Sequence, residues 1–289
     1  MYCNQIALTL ALLALAPAAD AKEFSAARAF DYTRKLVAFG PRPPGSAAMK
    51  QQQAFILVEL KQRGCEITQD DFTAQTPNGA VAMKNIICRF KGKSGRAVAI
   101  SGHYDTKIFK FRFVGADDGG SSAGLLLELA QALSGRVLKD DVYLVFLDGE
   151  EAFKDWTATD SLYGSRHLSE RWSRDGTQAR MKALINVDMI GDKNLGIMQE
   201  MNSTPWLRQL VWKTAQDMGY GKYFLDTGNA TEDDHLPFLK RGFAALDLID
   251  FDYPPWHTAE DTMDKLSSHS FGVVGEVLLR VVQVLEARP

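Results

Sequence analysis

The sequence predicts a single α/β domain, built on a central mixed, largely parallel β-sheet with helices on both faces. Two observations carry this. Four short, near-continuous apolar runs (97–100, 142–147, 183–187 and 244–249) read as strands buried on both sides. Helix-like segments separate them, and strands alternating with helices pack as parallel neighbours joined by crossovers. A third observation sets the scale. Of 289 residues the first 21 look removable, and the 268 that remain suffice for one large domain with a sizeable core.

Taken in order, Ile6 to Ala18 is almost unbroken apolar sequence, and Ala19-Asp20-Ala21 fits the small-x-small pattern of a signal-peptidase site. The stretch is short for a membrane span. Residues 1–21 are therefore expected to be a secretory signal, and 22–289 the single mature domain of a secreted or periplasmic protein with no membrane span once the signal is removed. No Lys or Arg precedes the apolar stretch, so the amino terminus is its only n-region charge. A helix is predicted over Phe24 to Phe39, broken by "PRPPGS" at 41–46. A second runs from Ser46 to Arg63, with Phe55, Ile56, Val58 and Leu60 toward a core and Gly64 as its stop. Two strands then meet at Pro77-Asn78-Gly79, where Asn-Gly is a strong hairpin signal. Folding about that turn brings Cys65 close to Cys88. An even pair of cysteines in an exported chain is expected to form a disulfide, the alternative being two buried thiols. Further helices are predicted over Ser121 to Leu133, Thr204 to Met218 and Phe271 to Leu285.

Charge excludes some functions. Lys plus Arg total 33 against 36 Asp plus Glu, a formal charge of −3, and no basic tract points to nucleic acid. The segments just beyond the apolar runs are more informative. "SGHYDTK" comes after the first, "DGEEAF" after the second, "DMIGD" after the third and "DFDYPPWHT" after the fourth. Ligands of open α/β sheets bind at that carboxyl edge. Asp148, Glu150 and Glu151 fall within four positions at the rim of a core, where like charges raise one another's pKa and call for a positive partner. An oxygen-rich cluster with one or two imidazoles suits Zn²⁺, and His103, Asp105, Asp118, Glu150, Glu151, Asp188 and His257 are the candidates. Each alone has a bland reading: Asp118 could simply cap the helix after it.

Together, "SGHYDTK", "FVGADDGGSSAG", "FLDGEEAF", "DSLYGSRHL", "DDHLPFLKRG" and "PPWHT" resemble the animal-type glutaminyl-peptide cyclotransferases, relatives of the M28-clan zinc aminopeptidases. The blocks run in the family's order from about 101 to 258. The resemblance implies an M28-like sheet with one catalytic zinc per chain at its carboxyl edge. It puts the zinc ligands at Asp118, Glu151 and His257, and the general acid/base at Glu150. Two further catalytic acids fall on Asp188 and Asp233, and pocket tryptophans on Trp156 and Trp256. The segment before Trp256 is one residue shorter than the family's, leaving Tyr253 where an aromatic substrate-binding residue is expected. Vertebrate members place a cysteine after the metal aspartate; this chain has "GGSSAG" there. His103, Asp105 and Asp188 stand where the relatives hold a second metal, a possible remnant of that site. Adjacent residues on extended backbone point opposite ways, so one of Glu150 and Glu151 can bind metal while the other faces substrate.

The implied activity is conversion of N-terminal Gln to pyroglutamate with release of ammonia. The partners are then peptides or proteins beginning with Gln, and the enzyme is expected to act as a monomer. An M28-type aminopeptidase with two zinc ions is the alternative, and a silent scaffold on the same fold the third reading.

Overall fold

The computed structural model describes residues 23–288. The proposed signal segment lies outside the described residues. Helices α1 (Ala26–Val37) and α2 (Ala47–Lys61) open the domain, each capped by a serine side chain, Ser25 and Ser46, that accepts a backbone N–H of the first turn. Strands β1 (Glu66–Thr76) and β2 (Gly79–Phe90) form the expected antiparallel hairpin around Pro77-Asn78, with Gly79 at a φ of +99°. Cys65 and Cys88 are disulfide-bonded, with Cα atoms 5.5 Å apart. Cys88 pairs across the ladder with Ile67, so the bridge runs diagonally to the residue just before β1. Closing a loop of this length stabilises by about 3 kcal/mol on the chain-entropy account.

The chain continues through β3 (Ala97–His103), α3 (Gly120–Leu133), β4 (Asp141–Leu147), α4 (Tyr163–Arg174), α5 (Thr177–Arg180) and β5 (Met181–Asp188). It ends with β6 (Ile197–Glu200), α6 (Pro205–Asp217), β7 (Phe224–Asn229), α7 (His235–Leu239), β8 (Ala245–Ile249) and α8 (Ser268–Ala287). Six strands form one sheet in the order β1-β2-β4-β3-β5-β8. The hairpin and the β2–β4 pair are antiparallel, and the other three pairs are parallel. The sheet is therefore mixed, and its parallel part holds the four strands that the apolar runs predict. No helix among the described residues is long and apolar enough to cross a membrane.

β4 shows why these runs fold as central strands. All seven of its residues are buried. Val142, Leu144 and Phe146 pack into a core shared with α1, α2, α3, α6 and α8, while Tyr143, Val145 and Leu147 pack into another with Leu168 and Trp172 of α4 and Phe238 of α7. A period of two with both faces covered leaves no polar alternation. Burial of each such side chain is worth roughly 1.5–3 kcal/mol. The chain reverses direction across the sheet at β3, whose sequence neighbour β4 lies on one side and β5 on the other. That switch opens a crevice beyond the carboxyl end of β3. The helices α4, α5 and α7 and the small parallel pair β6–β7 were not expected from the sequence.

Candidate metal centre and active-site cavity

Four strand ends deliver the polar residues to this crevice. β3 ends in His103 and leads to Asp105, β4 leads into Gly149, Glu150 and Glu151, and β5 ends in Asp188. The turn before α3 carries Asp118. It presses so closely on the segment just after β3 that a Cβ on Gly119, at φ +79°, would lie 2.4 Å from the Asp105 carbonyl oxygen. Only glycine fits there. Beyond β8, the loop bearing Trp256 holds His257 at a φ of +55°, an unusual backbone state for a residue with a side chain, of the kind retained where the surroundings over-determine it.

His257 Nε2 lies 3.3 Å from Asp118 Oδ2 and 3.2 Å from Glu151 Oε1. Asp118, Glu151 and His257 offer ligand atoms all within 4.8 Å of one another, and so do His103, Asp118 and Asp188. In the second trio His103 Nε2 is 3.2 Å from Asp118 Oδ1 and 3.0 Å from Asp188 Oδ1. Asp118 belongs to both. Its buried Oδ2 receives no hydrogen bond of acceptable geometry, as expected of an oxygen shaped for a cation. Two carboxylates and one imidazole leave a tetrahedral metal one open position, so the first trio fits a catalytic zinc.

Two expectations are corrected by the geometry. Asp105 joins neither trio. Its two carboxylate oxygens accept the backbone N–H groups of Glu150, at 3.1 Å, and Glu151, at 3.3 Å, so it holds the acidic turn in shape. Tyr253, expected on the substrate rim, is buried with Met189 and Ile249, and its hydroxyl donates to Asp261 at 2.8 Å. The aromatic that lines the cavity is Phe251, two residues earlier. Of the three acids after β4, Asp148 also turns away. It accepts the Lys84 N–H at 2.8 Å and ties the end of β4 to the hairpin.

Glu150 and Glu151 face different surroundings. Glu151 meets His257 and, at 3.2 Å, the Lys107 ammonium. Burial and the Asp118 carboxylate push its pKa up, opposed by His257 and Lys107. Burial, with Glu151, Asp233 and Asp234 nearby, pushes Glu150 well above the usual carboxyl range, opposed by His103. Asp188 is pushed up to about 7, chiefly by burial and against the pull of His103. Burial would raise Asp118 too, but its contacts with His103 and His257 win and hold it low. His257 rises to about 9, because Asp118 and Glu151 outweigh the cost of burying its charge. The positive charge that the acidic turn calls for is thus supplied in part by two imidazoles and a lysine.

These groups line a cavity of about 680 Å³ whose apolar wall includes Trp156, Trp256, Phe251 and Ile249. Glu150, Asp188 and Asp233 all face it. Asp233 Oδ1 accepts from Asn186 Nδ2 at 3.1 Å, while its buried Oδ2 has no partner. Trp256 stacks on the His257 ring, with centroids 4.1 Å apart, and Trp156 Nε1 donates to Glu232 at 3.0 Å. Sequence reading missed Phe251, Lys107 and Asn186. The only signal for Phe251 was a second aromatic in "DFDYPPWHT", with nothing to rank it against Tyr253.

Residues 85–282 match peptidase family M28. The chain is 34% identical to a glutaminyl-peptide cyclotransferase-like protein of Bos taurus over 76% of its own length, spanning 66% of that protein. It is 32% identical to a glutaminyl-peptide cyclotransferase of Bothrops jararaca over 82% of its length, spanning 75% of that protein. The crystal structure of an Acidobacteriales bacterium glutaminyl cyclase superposes with a TM-score of 0.90 at 41% identity, covering 96% of this chain and 100% of that one.

Proposed function

The chain belongs to peptidase family M28 and, within it, to the glutaminyl-peptide cyclotransferases, and from that premise we propose that it cyclises N-terminal Gln of peptides to pyroglutamate. Asp118, Glu151 and His257 would hold one zinc. Zinc bound there supplies Lewis-acid polarisation of an amide oxygen. In the reaction the substrate's free α-amine attacks its own γ-carboxamide carbon. A C–N bond forms, the bond to the amide nitrogen breaks, and ammonia leaves. Glu150 takes a proton from the attacking amine and gives one to the departing nitrogen. The raised proton affinity that burial and neighbouring acids give Glu150 suits both halves of that exchange. Asp188, pushed up to about 7 chiefly by burial, can hold a proton in the cluster, while Asp233 faces the same cavity and would orient the substrate's nitrogen groups. Trp156, Trp256 and Phe251 give the cavity an apolar wall, which suits a reaction that does not use water as nucleophile. Export after Ala21 and action as a monomer belong to the same proposal.

The observation that carries this reading is the split between neighbours: Glu151 joins Asp118 and His257, while Glu150 faces a cavity walled by tryptophan. The trio of His103, Asp118 and Asp188 supports the second reading, an aminopeptidase holding two metal ions. Incubation with Gln-Ala peptide and Leu-p-nitroanilide separates them. Ammonia release, with about one zinc per chain after dialysis, is expected; p-nitroaniline without ammonia, or two tightly held zinc ions, reverses the ranking. Glu150→Gln should keep its zinc and lose more than a hundredfold in kcat, since a positioned base contributes about 10²–10⁴-fold. Glu151→Gln should instead lose zinc. An interchange of those two outcomes would reverse the assigned roles.

A further inference from the structure

Asp261 stands four residues beyond His257 and is completely buried. Its Oδ1 accepts the Asp117 N–H at 2.9 Å, its Oδ2 the Asp118 N–H at 3.3 Å, and its main-chain oxygen the Ala116 N–H at 3.3 Å. Three consecutive amides of the Asp118 loop are thus gathered by one residue of the His257 loop. The Tyr253 hydroxyl, on the near side of His257, donates to the same Oδ1 at 2.8 Å and closes the His257 loop on itself. Asp117 extends the tie, because its Oδ1 accepts the Gly191 N–H at 2.7 Å from the loop after Asp188. Arg42, also buried, donates to the carbonyls of Val114, at 2.8 Å, and Gly115, at 3.1 Å, in the approach to Asp118. No side chain of this assembly lines the cavity, so contact with substrate does not explain it.

We propose that Asp261 is a positioning residue that fixes the distance between Asp118 and His257 and so sets the affinity of the metal site. Its carboxylate is fully occupied by donors from both loops. Shifting either loop breaks charge-assisted hydrogen bonds in a buried setting, each worth more than a neutral one. The loops are held before any cation arrives, so binding does not have to order them. This inference rests on the proposed zinc trio.

Asp261→Asn tests it, because the introduced NH₂ would face a backbone N–H and cancel one tie while preserving volume. Outer-shell partners of metal ligands typically matter about 10–100-fold in affinity. Zinc affinity, measured by chelator competition, is expected to fall by at least about tenfold on that scale. Tyr253→Phe, which removes only the hydroxyl, should weaken zinc about threefold and decides the matter if the asparagine variant does not fold. Lys182→Met, at the opposite end of the sheet, serves as the stability control: it should lower the thermal midpoint and leave zinc affinity unchanged. If the Asp261 and Tyr253 variants behave like Lys182→Met, Asp261 is merely structural and the proposal is wrong. If the wild type itself holds no zinc, the trio assignment fails, and this inference with it.

Discussion

The two ends of the parallel sheet use the same residue type in opposite ways. At the amino end each buried acid has its own cation. Asp141, which opens β4, lies 2.6 Å from Arg89 and 3.2 Å from Arg180, and also accepts the Gly92 N–H at 2.8 Å. Burial would raise its pKa, but these donors hold it below the usual carboxyl range. Asp140 lies 2.8 Å from Lys182, and the same ammonium donates to the Leu285 carbonyl, at 3.1 Å, at the end of α8. At the carboxyl end Glu150, Glu151 and Asp188 crowd around two imidazoles and are all pushed up. The amino end is electrostatically complete. The carboxyl end is short of positive charge, and that shortage is what lets it bind a cation and move protons.

The contrast is broken most directly at Lys182. Lys182→Met strands the Asp140 carboxylate in the core, and losing one partner of a buried pair costs about 3–5 kcal/mol. The thermal midpoint should drop by about 10 °C for a domain of this size, with specific activity of the folded fraction unchanged. An unaltered midpoint would mean that the amino end contributes no more than the site does.

Trp256→Ala makes the opposite cut and has a smaller effect on free energy. The indole is 39% exposed, stacks on His257 and meets Phe251 at a tilt at the cavity wall. Turnover of Gln peptides, as kcat/KM, should fall about tenfold, within the 1–3 kcal/mol that pocket contacts typically contribute. Zinc content and midpoint should hold. A large drop in midpoint with normal kinetics would place Trp256 in the core instead.

The smallest effect concerns acid. The folded-state pKa of Asp141 is depressed, so its stabilising contribution is complete above the unfolded carboxyl value of about 3.9 and is lost as pH falls through the folded value. Asp141→Asn should therefore be less stable than wild type at neutral pH, with the gap closing below about pH 4. A gap that persists unchanged at pH 2, followed by urea unfolding, would show that Asp141 acts through packing rather than charge.

Much of this was legible in one dimension because two signals are local. A strand covered on both faces must be nearly all apolar, which marks β3, β4, β5 and β8. A strand end at the ligand edge must change abruptly to polar residues, which marks His103, Glu150, Glu151, Asp188 and His257; the metal role of Asp118, just before α3, and the division of roles between Glu150 and Glu151 came from the family resemblance. The hairpin was legible through Asn78-Gly79 and the cysteines that close it. β6 and β7 gave no such signal, being a short pair with Gln199, Glu200, Asp226 and Thr227 among their residues. In α4 the inward stripe is thin, reduced to residues such as Leu168 and Trp172 among arginines, serines and Glu170.

The sequence alone determined the hairpin, the four central strands and the group of residue types available to the site, because backbone preference and burial act on neighbours along the chain. Tertiary structure alone decided which carboxylates face which imidazole. Asp105, Asp118, Asp148 and Asp261 are chemically alike and differ only in what folding brings to them. Asp118 meets two histidines, Asp105 the amides of the acidic turn, Asp148 an amide of the hairpin, and Asp261 two amides of the Asp118 loop and the Tyr253 hydroxyl. Any backbone N–H can receive a carboxylate, so no residue type announces the pairing. Long-range geometry has to choose it, and the same geometry put Phe251 rather than Tyr253 against the cavity.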